Sequence, residues 1–193
     1  FMGREIPGKT VGIVGLGHIG RLTIQRLSGF DMEVLGFDPM ISRDRAEDLG
    51  VELVSLEDLF ARSDYVSLHI PENNATRGLI NADLIGLMKE GATLINCARH
   101  GVVNHDDLKK LKAEKSLRFL NDVYPKDEAG DKPEAEFADI LLPHLGASTR
   151  EANENAARMA ARILVEFDEK GITTFIVNRD IPEGLDEAYG HLA

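Results

Sequence analysis

The 193-residue sequence contains no tryptophan and one cysteine, Cys97. A single cysteine excludes an internal disulfide, which favours a reducing compartment. Basic residues are few, because 22 lysines and arginines stand against 33 acidic residues, for a formal net charge of −11. That charge argues against nucleic acid and anionic membranes as partners. We find no signal peptide and no apolar run long enough to span a membrane, so we expect a soluble, cytoplasmic protein.

What the sequence does contain is a glycine-rich motif between a predicted strand and a predicted helix. Residues 11–38 read VGIVGLGHIGRLTIQRLSGFDMEVLGFD, with glycines at Gly15, Gly17 and Gly20 and a second apolar strand that ends at Asp38. The G-x-G-x-x-G pattern alone is weak, but in this context it is typical of dinucleotide binding. The first glycine permits a sharp turn, the second leaves the backbone open to a pyrophosphate, and the third lets the helix pack against the sheet.

The acid at the end of the second strand indicates which dinucleotide binds. N–H groups in the first turn of the helix would face the phosphates. Asp38 would accept hydrogen bonds from the adenosine ribose hydroxyls, and its carboxylate would repel the extra phosphate of NADP. The sequence therefore predicts NAD as the cofactor. A glycine-rich turn without a ligand is the alternative, which the full context disfavours.

Beyond Asp38, short apolar segments alternate with capped helical segments. This alternation predicts an α/β fold, a doubly wound parallel sheet of the Rossmann type, with strand order 3-2-1-4-5-6 or close to it. Residues 126–136 are interpreted as a long charged loop. The last predicted helix, at about residues 149–169, should bury one apolar face, because its apolar residues recur at spacings of three and four. That face comprises Ala152, Ala156, Met159, Ala160, Ile163 and Phe167.

Candidate reacting groups follow three of the predicted strands: Arg99, Asp122 and His144. Ligands bind at the carboxyl ends of strands in such sheets, so these groups should converge. A histidine can take a hydroxyl proton near neutral pH, an arginine can hold a carboxylate, and a carboxylate can fix the histidine tautomer. The trio suits hydride transfer on a hydroxy acid. Arg99 as a surface charge and His144 as a helix cap are the plainer alternatives, and Cys97 and His69 are interpreted as non-catalytic.

Five segments occur in an order that resembles the D-isomer-specific 2-hydroxyacid dehydrogenases: GKTVGIVGLGHIG, LHIPENNATRGLIN, INCARHGVV, DVY and PHLGASTREA. The resemblance implies an NAD-binding domain over residues 1–178. It also implies a tail, residues 179–193, that begins the return to a substrate domain missing from this chain. Within the family, the segments FMG, FDPMIS and NCAR are most similar to the branch that acts on D-3-phosphoglycerate, which is the expected substrate. Glycerate, lactate and glyoxylate stay open as alternatives.

The same resemblance implies roles for individual residues. Arg99 corresponds to the substrate-binding arginine and His144 to the acid/base histidine, and no metal is implied. The matches to cofactor-lining segments are Gly15, Gly17, His18, Ile19, Asp38, His69, Pro71, Thr76, Cys97, Ala98, Arg99, Asp122, His144 and Gly146.

Two positions depart from the pattern of the family. The family shows D-V-F-x-x-E-P, whereas Asp127 stands here in the place of the glutamate, with Glu128 after it. Either Asp127 or Glu128 would be the third catalytic residue. His100 stands where the family has glycine. An NAD-sensing binding protein without catalysis is therefore an alternative to the enzyme. The chain alone is expected to bind NAD and turn over poorly, and the longer protein is a candidate homodimer.

Overall fold

The computed structural model describes residues 5–125 and 132–171. Within them, seven strands form one parallel sheet. The strands are β1 (Thr10–Val14), β2 (Glu33–Phe37), β3 (Glu52–Leu53), β4 (Tyr65–Leu68), β5 (Thr93–Asn96), β6 (Arg118–Asn121) and β7 (Ile140–Leu141). The α-helices are α1 (His18–Leu27), α2 (Arg43–Glu47), α3 (Leu56–Arg62), α4 (Ala82–Leu87), α5 (His105–Glu114) and α6 (Arg150–Lys170). Short 3₁₀ helices occur at Ser28–Phe30, His100–Val102 and Pro133–Glu136.

The strand order is β3-β2-β1-β4-β5-β6-β7, and every neighbouring pair is parallel. The predicted doubly wound order is confirmed, with β7 added at one edge. The chain leaves β1 towards one edge through β2 and β3, and then returns to the other side of β1 through β4. Such a reversal opens a crevice at the carboxyl ends of the two central strands, where ligands bind in folds of this kind.

The core lies on both faces of the sheet, as a doubly wound fold requires. One cluster packs Ile13 of β1 against Ile24 of α1 and Ala46 of α2. The other joins Val14 of β1 to residues of α3, α4 and α5, among them Phe60. Neighbouring residues of β1 therefore contribute to different clusters, because successive side chains of a strand point to opposite faces.

Most helices begin at a polar residue whose side chain accepts an N–H of the first turn. Ser42, Ser55, Asn81, Asn104 and Thr149 cap α2, α3, α4, α5 and α6 in this way. Such caps satisfy N–H groups that the helix leaves unpaired, which explains why the sequence signals locate these helices correctly.

One expectation about the second half of the chain was wrong, and another is tested only in part. Of residues 126–136, expected as a charged loop, 126–131 lie outside the described residues, and in the remainder a 3₁₀ helix forms at Pro133–Glu136 and buries the Glu134 side chain. The last helix forms as α6, but none of its residues is buried, and Met159 and Phe167 are about half exposed. Apolar spacing shows that a face is suited to burial. The described residues supply no surface that buries it.

The chain divides into two compact units, and the boundary in the sequence lies between His144 and Leu145. The sheet and α1 to α5 belong to the first unit, and α6 to the second. Among the described residues, no helix is long and apolar enough to cross a membrane.

Candidate cofactor and substrate site

Glycines shape the turn between β1 and α1. Gly15 has a φ of +95°, and a Cβ there would lie 2.8 Å from the carbonyl oxygen of His69. A Cβ on Gly20 would overlap the carbonyl oxygen of Gly15, whereas Gly17 faces open space. The geometry supplies a separate steric reason for each glycine: a sharp turn, close packing of the helix, and free access to the backbone.

The first turn of α1 is open to an anion. Gly17 is its N-cap and provides no side-chain hydrogen bond, and His18 and Ile19 behind it are exposed. N–H groups at such a helix start have no partner within the helix, and the helix dipole adds positive potential there. A pyrophosphate fits these properties. Direct contact of His18 and Ile19 with the cofactor stays a prediction.

Asp38, directly after β2, is bound to the turn by two backbone groups. Its Oδ2 accepts the N–H of Leu16 at 2.8 Å, and its Oδ1 accepts the N–H of Met40 at 2.8 Å. The carboxylate is therefore fixed in direction before any ligand arrives. Since an ionised carboxylate has about four lone-pair positions, each oxygen retains the capacity to accept a further hydrogen bond.

A cleft of about 610 Å³ opens between these elements. Such a volume is ordinary for a small-molecule site. Six predicted cofactor residues line it: Gly15, Gly17, Asp38, His69, Pro71 and Thr76. Arg21, Met40 and Ile41 also line the cleft and were not predicted from the sequence. Arg21 could have been predicted from the sequence, because a cation directly after the third glycine complements a bound phosphate. Its Nε donates a hydrogen bond to the carbonyl of Leu16 at 2.7 Å.

The loop after β4 forms the opposite wall of the cleft. His69 is bound through its backbone N–H to the carbonyl of Val14 at 2.8 Å, and its Nε2 lies 2.9 Å from the Ser67 hydroxyl. Burial lowers the pKa of His69, which favours the neutral ring at neutral pH. Thr76 closes the loop by donating its hydroxyl to the carbonyl of Pro71 at 2.6 Å.

After β5, the buried Asn96 orders the backbone that carries Arg99. Its Oδ1 accepts the N–H of Ala98 at 3.0 Å, and its Nδ2 donates to the carbonyl of Arg99 at 3.1 Å. The Arg99 guanidinium donates to the carbonyl of Ala98 at 2.7 Å and is otherwise solvent-accessible. Cys97 is also exposed, yet partial desolvation, together with the Asp122 charge, raises the pKa of its thiol. A raised thiol pKa opposes nucleophilic use, as the sequence interpretation expects.

Asp122 and His144 meet across the ends of β6 and β7. The Oδ1 of Asp122 accepts the backbone N–H of His144 at 3.0 Å. His144 has a φ of +53°, an uncommon conformation for a residue with a side chain, and its ring is exposed. The carboxylate thus holds the histidine backbone rather than its imidazole. Fixing of the tautomer by Asp122 is not seen.

His100, directly after Arg99, lies in a second polar cluster. Its Nδ1 is 2.8 Å from Oε1 of Glu134, and its ring stacks on His105 at 4.2 Å between centroids. Burial, followed by the nearby charge of His100, lowers the pKa of His105. In the sequence, His100 stands out only as a departure from the family, and its partner Glu134, which lies 34 residues later, was not predicted.

The remaining predicted site residues are Asp127 and Gly146. Asp127, like Glu128, lies outside the described residues. Gly146 belongs to the second unit. Their predicted roles stay predictions.

Comparison with known proteins identifies the family of this chain. The family described as D-isomer specific 2-hydroxyacid dehydrogenase, NAD binding domain, matches residues 1–146. The D-3-phosphoglycerate dehydrogenase of Mycobacterium tuberculosis is 39% identical over 195 residues, which cover 96% of this chain and 37% of that protein. The chain therefore spans little more than a third of the length of such relatives.

Solved structures of similar proteins have the same fold. A glyoxylate reductase from Paecilomyes thermophila superposes with a TM-score of 0.78 at 30% identity, over 89% of this chain and 52% of that one. A D-lactate dehydrogenase from Aquifex aeolicus, solved with NAD and lactic acid, gives 0.76 at 29% identity, over 86% and 55%. The chain belongs to the D-isomer-specific 2-hydroxyacid dehydrogenase family, and it is an NAD-binding domain of that family.

Proposed function

We propose that NAD binds in the cleft between β1, β2 and β4, with its pyrophosphate at the start of α1 and its adenosine ribose on Asp38. The observation that carries the proposal is the fixed Asp38 carboxylate, held by two backbone N–H groups at the edge of the cleft. A carboxylate fixed in this way can accept both ribose hydroxyls. It repels a 2′-phosphate, which favours NAD over NADP.

Within a longer protein, we further propose that this domain serves hydride transfer between D-3-phosphoglycerate and NAD. The identity to a D-3-phosphoglycerate dehydrogenase over almost the whole chain supports this substrate. NAD supplies the hydride acceptor. Arg99 would hold the substrate carboxylate, and His144 would take the hydroxyl proton as the C2 hydrogen leaves with its electron pair. Asp127 or Glu128 would be the third catalytic group.

The domain limits belong to the same proposal, with residues 1–178 as the NAD-binding domain and 179–193 as a tail towards the substrate domain. Homodimerisation of the longer protein and a cytoplasmic location are also proposals, the latter supported by the single cysteine.

Calorimetric titration with NAD⁺, NADH and NADP⁺ tests the cofactor proposal. We expect NAD⁺ and NADH to bind and NADP⁺ to bind at least about tenfold more weakly, a difference of about 1.4 kcal/mol. Asp38→Asn should narrow that gap, because it removes the repelling charge. Asp58→Asn, at an exposed capped position of α3, is the matched control and should leave the gap unchanged. Equal affinity for NADP⁺ and NAD⁺, or no dinucleotide binding, would contradict the proposal.

A steady-state assay with D-3-phosphoglycerate and NAD⁺ tests the dependence on the rest of the protein. Two-domain enzymes complete their site and exclude water when the domains close. We expect the chain alone to show NAD binding with little turnover. Robust oxidation by these 193 residues would overturn that expectation.

A further inference from the structure

Two histidines and a buried glutamate meet beside the Arg99 loop, outside the NAD cleft. His100 comes from the 3₁₀ helix after β5, His105 is the first residue of α5, and Glu134 comes from the 3₁₀ helix before β7. One possible ligand atom from each lies within 4.8 Å of the others. Three separate elements therefore bring two imidazole nitrogens and a carboxylate oxygen close together.

The tautomer of His105 follows from its surroundings. Its Nε2 lies 3.2 Å from the carbonyl oxygen of His100, and a carbonyl can only accept, so Nε2 carries the hydrogen. In the neutral ring, Nδ1 then carries a lone pair and can only accept. It is buried, and among the described residues it has no hydrogen-bond partner. Metal-binding histidines typically donate their other ring N–H to a carbonyl in this way.

Glu134 presents a second unpaired acceptor. The residue is 1% exposed, and its Oε2 is buried without a partner in the described part of the chain. Its Oε1 is 2.8 Å from Nδ1 of His100, but that nitrogen makes no aligned hydrogen bond. A buried carboxylate is costly unless it is paired or coordinates a metal.

An ion pair with a protonated His100 satisfies only part of this cluster. It gives Oε1 of Glu134 a partner, but it leaves Oε2 and the Nδ1 of His105 unpaired. While Glu134 is ionised, both unpaired atoms are acceptors, so neither can satisfy the other. A cation with several coordination positions satisfies all three groups at once.

We propose that His100, His105 and Glu134 form a binding site for one divalent transition-metal ion, of which Zn²⁺ is the representative. Imidazole nitrogen and carboxylate oxygen both ligate Zn²⁺, at about 2.0–2.2 Å. The rings of Phe119 and Phe137 lie edge-on to His105, each 6.1 Å away, and provide the apolar shell that such sites have. Three protein ligands would leave the fourth position of a tetrahedral ion for water.

The site would join two segments that are distant in sequence. Glu134 precedes β7, and His100 follows Arg99 directly, so a bound ion would tie the chain before β7 to the backbone of the Arg99 loop. Lys109 and Glu136, 2.7 Å apart, already connect the same 3₁₀ helix to α5 at the surface. The ion would add a buried connection to this exposed one.

Chelator-treated protein titrated with Zn²⁺, and separately with Mg²⁺, tests the proposal. We expect one Zn²⁺ per chain, no comparable binding of Mg²⁺, and a rise in the melting temperature with Zn²⁺ alone. Glu134→Gln and His105→Gln should each weaken Zn²⁺ binding by at least about tenfold, because each removes a ligand. Glu136→Gln, the same change at an exposed residue of the same helix, is the matched control and should bind Zn²⁺ as the wild type does.

Co²⁺ absorption of the wild type provides a readout that does not depend on any variant folding. We expect visible d–d bands from a site with nitrogen and oxygen ligands and no thiolate charge-transfer band, which separates this site from Cys97. Absence of stoichiometric Zn²⁺ binding, a thiolate band, or full binding that survives in both Glu134→Gln and His105→Gln would overturn the proposal.

Discussion

The region of the site around β1 and β2 and the region around β5 to β7 are built differently. Around β1 and β2, the site consists of backbone: a glycine turn, the open start of α1, and Asp38 held by two N–H groups. Around β5 to β7, it depends on side-chain contacts, from Asp122 to the backbone of His144 and from His100 to Glu134. The first region is already organised by main-chain hydrogen bonds and by the steric demands of its glycines, whereas the second depends on how particular side chains pair.

The largest effect should come from the glycines, and it separates folding from binding. Gly20→Ala places a Cβ against the rigid Gly15 carbonyl, so we expect a loss of about 2–4 kcal/mol in the free energy of unfolding. Gly17→Ala meets open space and should change stability by less than about 1 kcal/mol, yet weaken NAD binding at least about tenfold. Urea unfolding and calorimetry measure the two quantities. Equal destabilisation by both variants would contradict the steric roles.

Glu134→Gln should be the most damaging of the side-chain changes in the β5 to β7 region. In chelator-treated protein it removes the charge that pairs with His100 and leaves a buried polar group, so we expect about 1–3 kcal/mol of destabilisation. Glu136→Gln removes only an exposed pair with Lys109 and should be far less destabilising than Glu134→Gln. Chemical denaturation compares the two variants, and similar losses would show that burial of Glu134 has no energetic role.

Asn96→Ala should affect the Arg99 loop more than the NAD cleft. It removes two buried hydrogen bonds to the backbone at Ala98 and Arg99, and we expect a loss of about 1–3 kcal/mol. NAD affinity should fall less than in Gly17→Ala. Amide hydrogen exchange should accelerate at residues 97–101, and unchanged exchange there would contradict the positioning role of Asn96.

The smallest effect is on pH dependence. Burial lowers the pKa of His69 below its ordinary value of 6.5, so the unfolded chain binds more protons than the folded one once the pH falls to that value. The contribution of the neutral His69 to the free energy of unfolding is therefore fully present above about pH 6.5. It decreases as the pH falls towards the lowered pKa of His69. Between about pH 7.5 and about pH 5.5, the free energy of unfolding measured by denaturation should decrease less for His69→Asn than for the wild type. Equal decreases in the two proteins would exclude His69 as a source of this pH dependence.

The same contrast explains what could be predicted from the sequence. The glycine turn was predictable because spacing and residue type determine it locally, and the strand order was predictable because alternating strands and helices imply a doubly wound sheet. The pairing of His100 with Glu134 was not, because burial of a glutamate in a charged segment depends on contacts across the fold. The sequence correctly indicated that α6 has an apolar face. The prediction that this face is buried was wrong, because periodicity does not reveal which surface would cover it.

A crystal structure of this chain with NADH tests most directly whether the β1 to β2 region is complete by itself. We predict the pyrophosphate at the N–H groups that begin α1 and both adenosine ribose hydroxyls within hydrogen-bonding distance of Asp38, with the turn at Gly15 unchanged. A dinucleotide bound elsewhere, or one whose ribose makes no contact with Asp38, would contradict the proposed site.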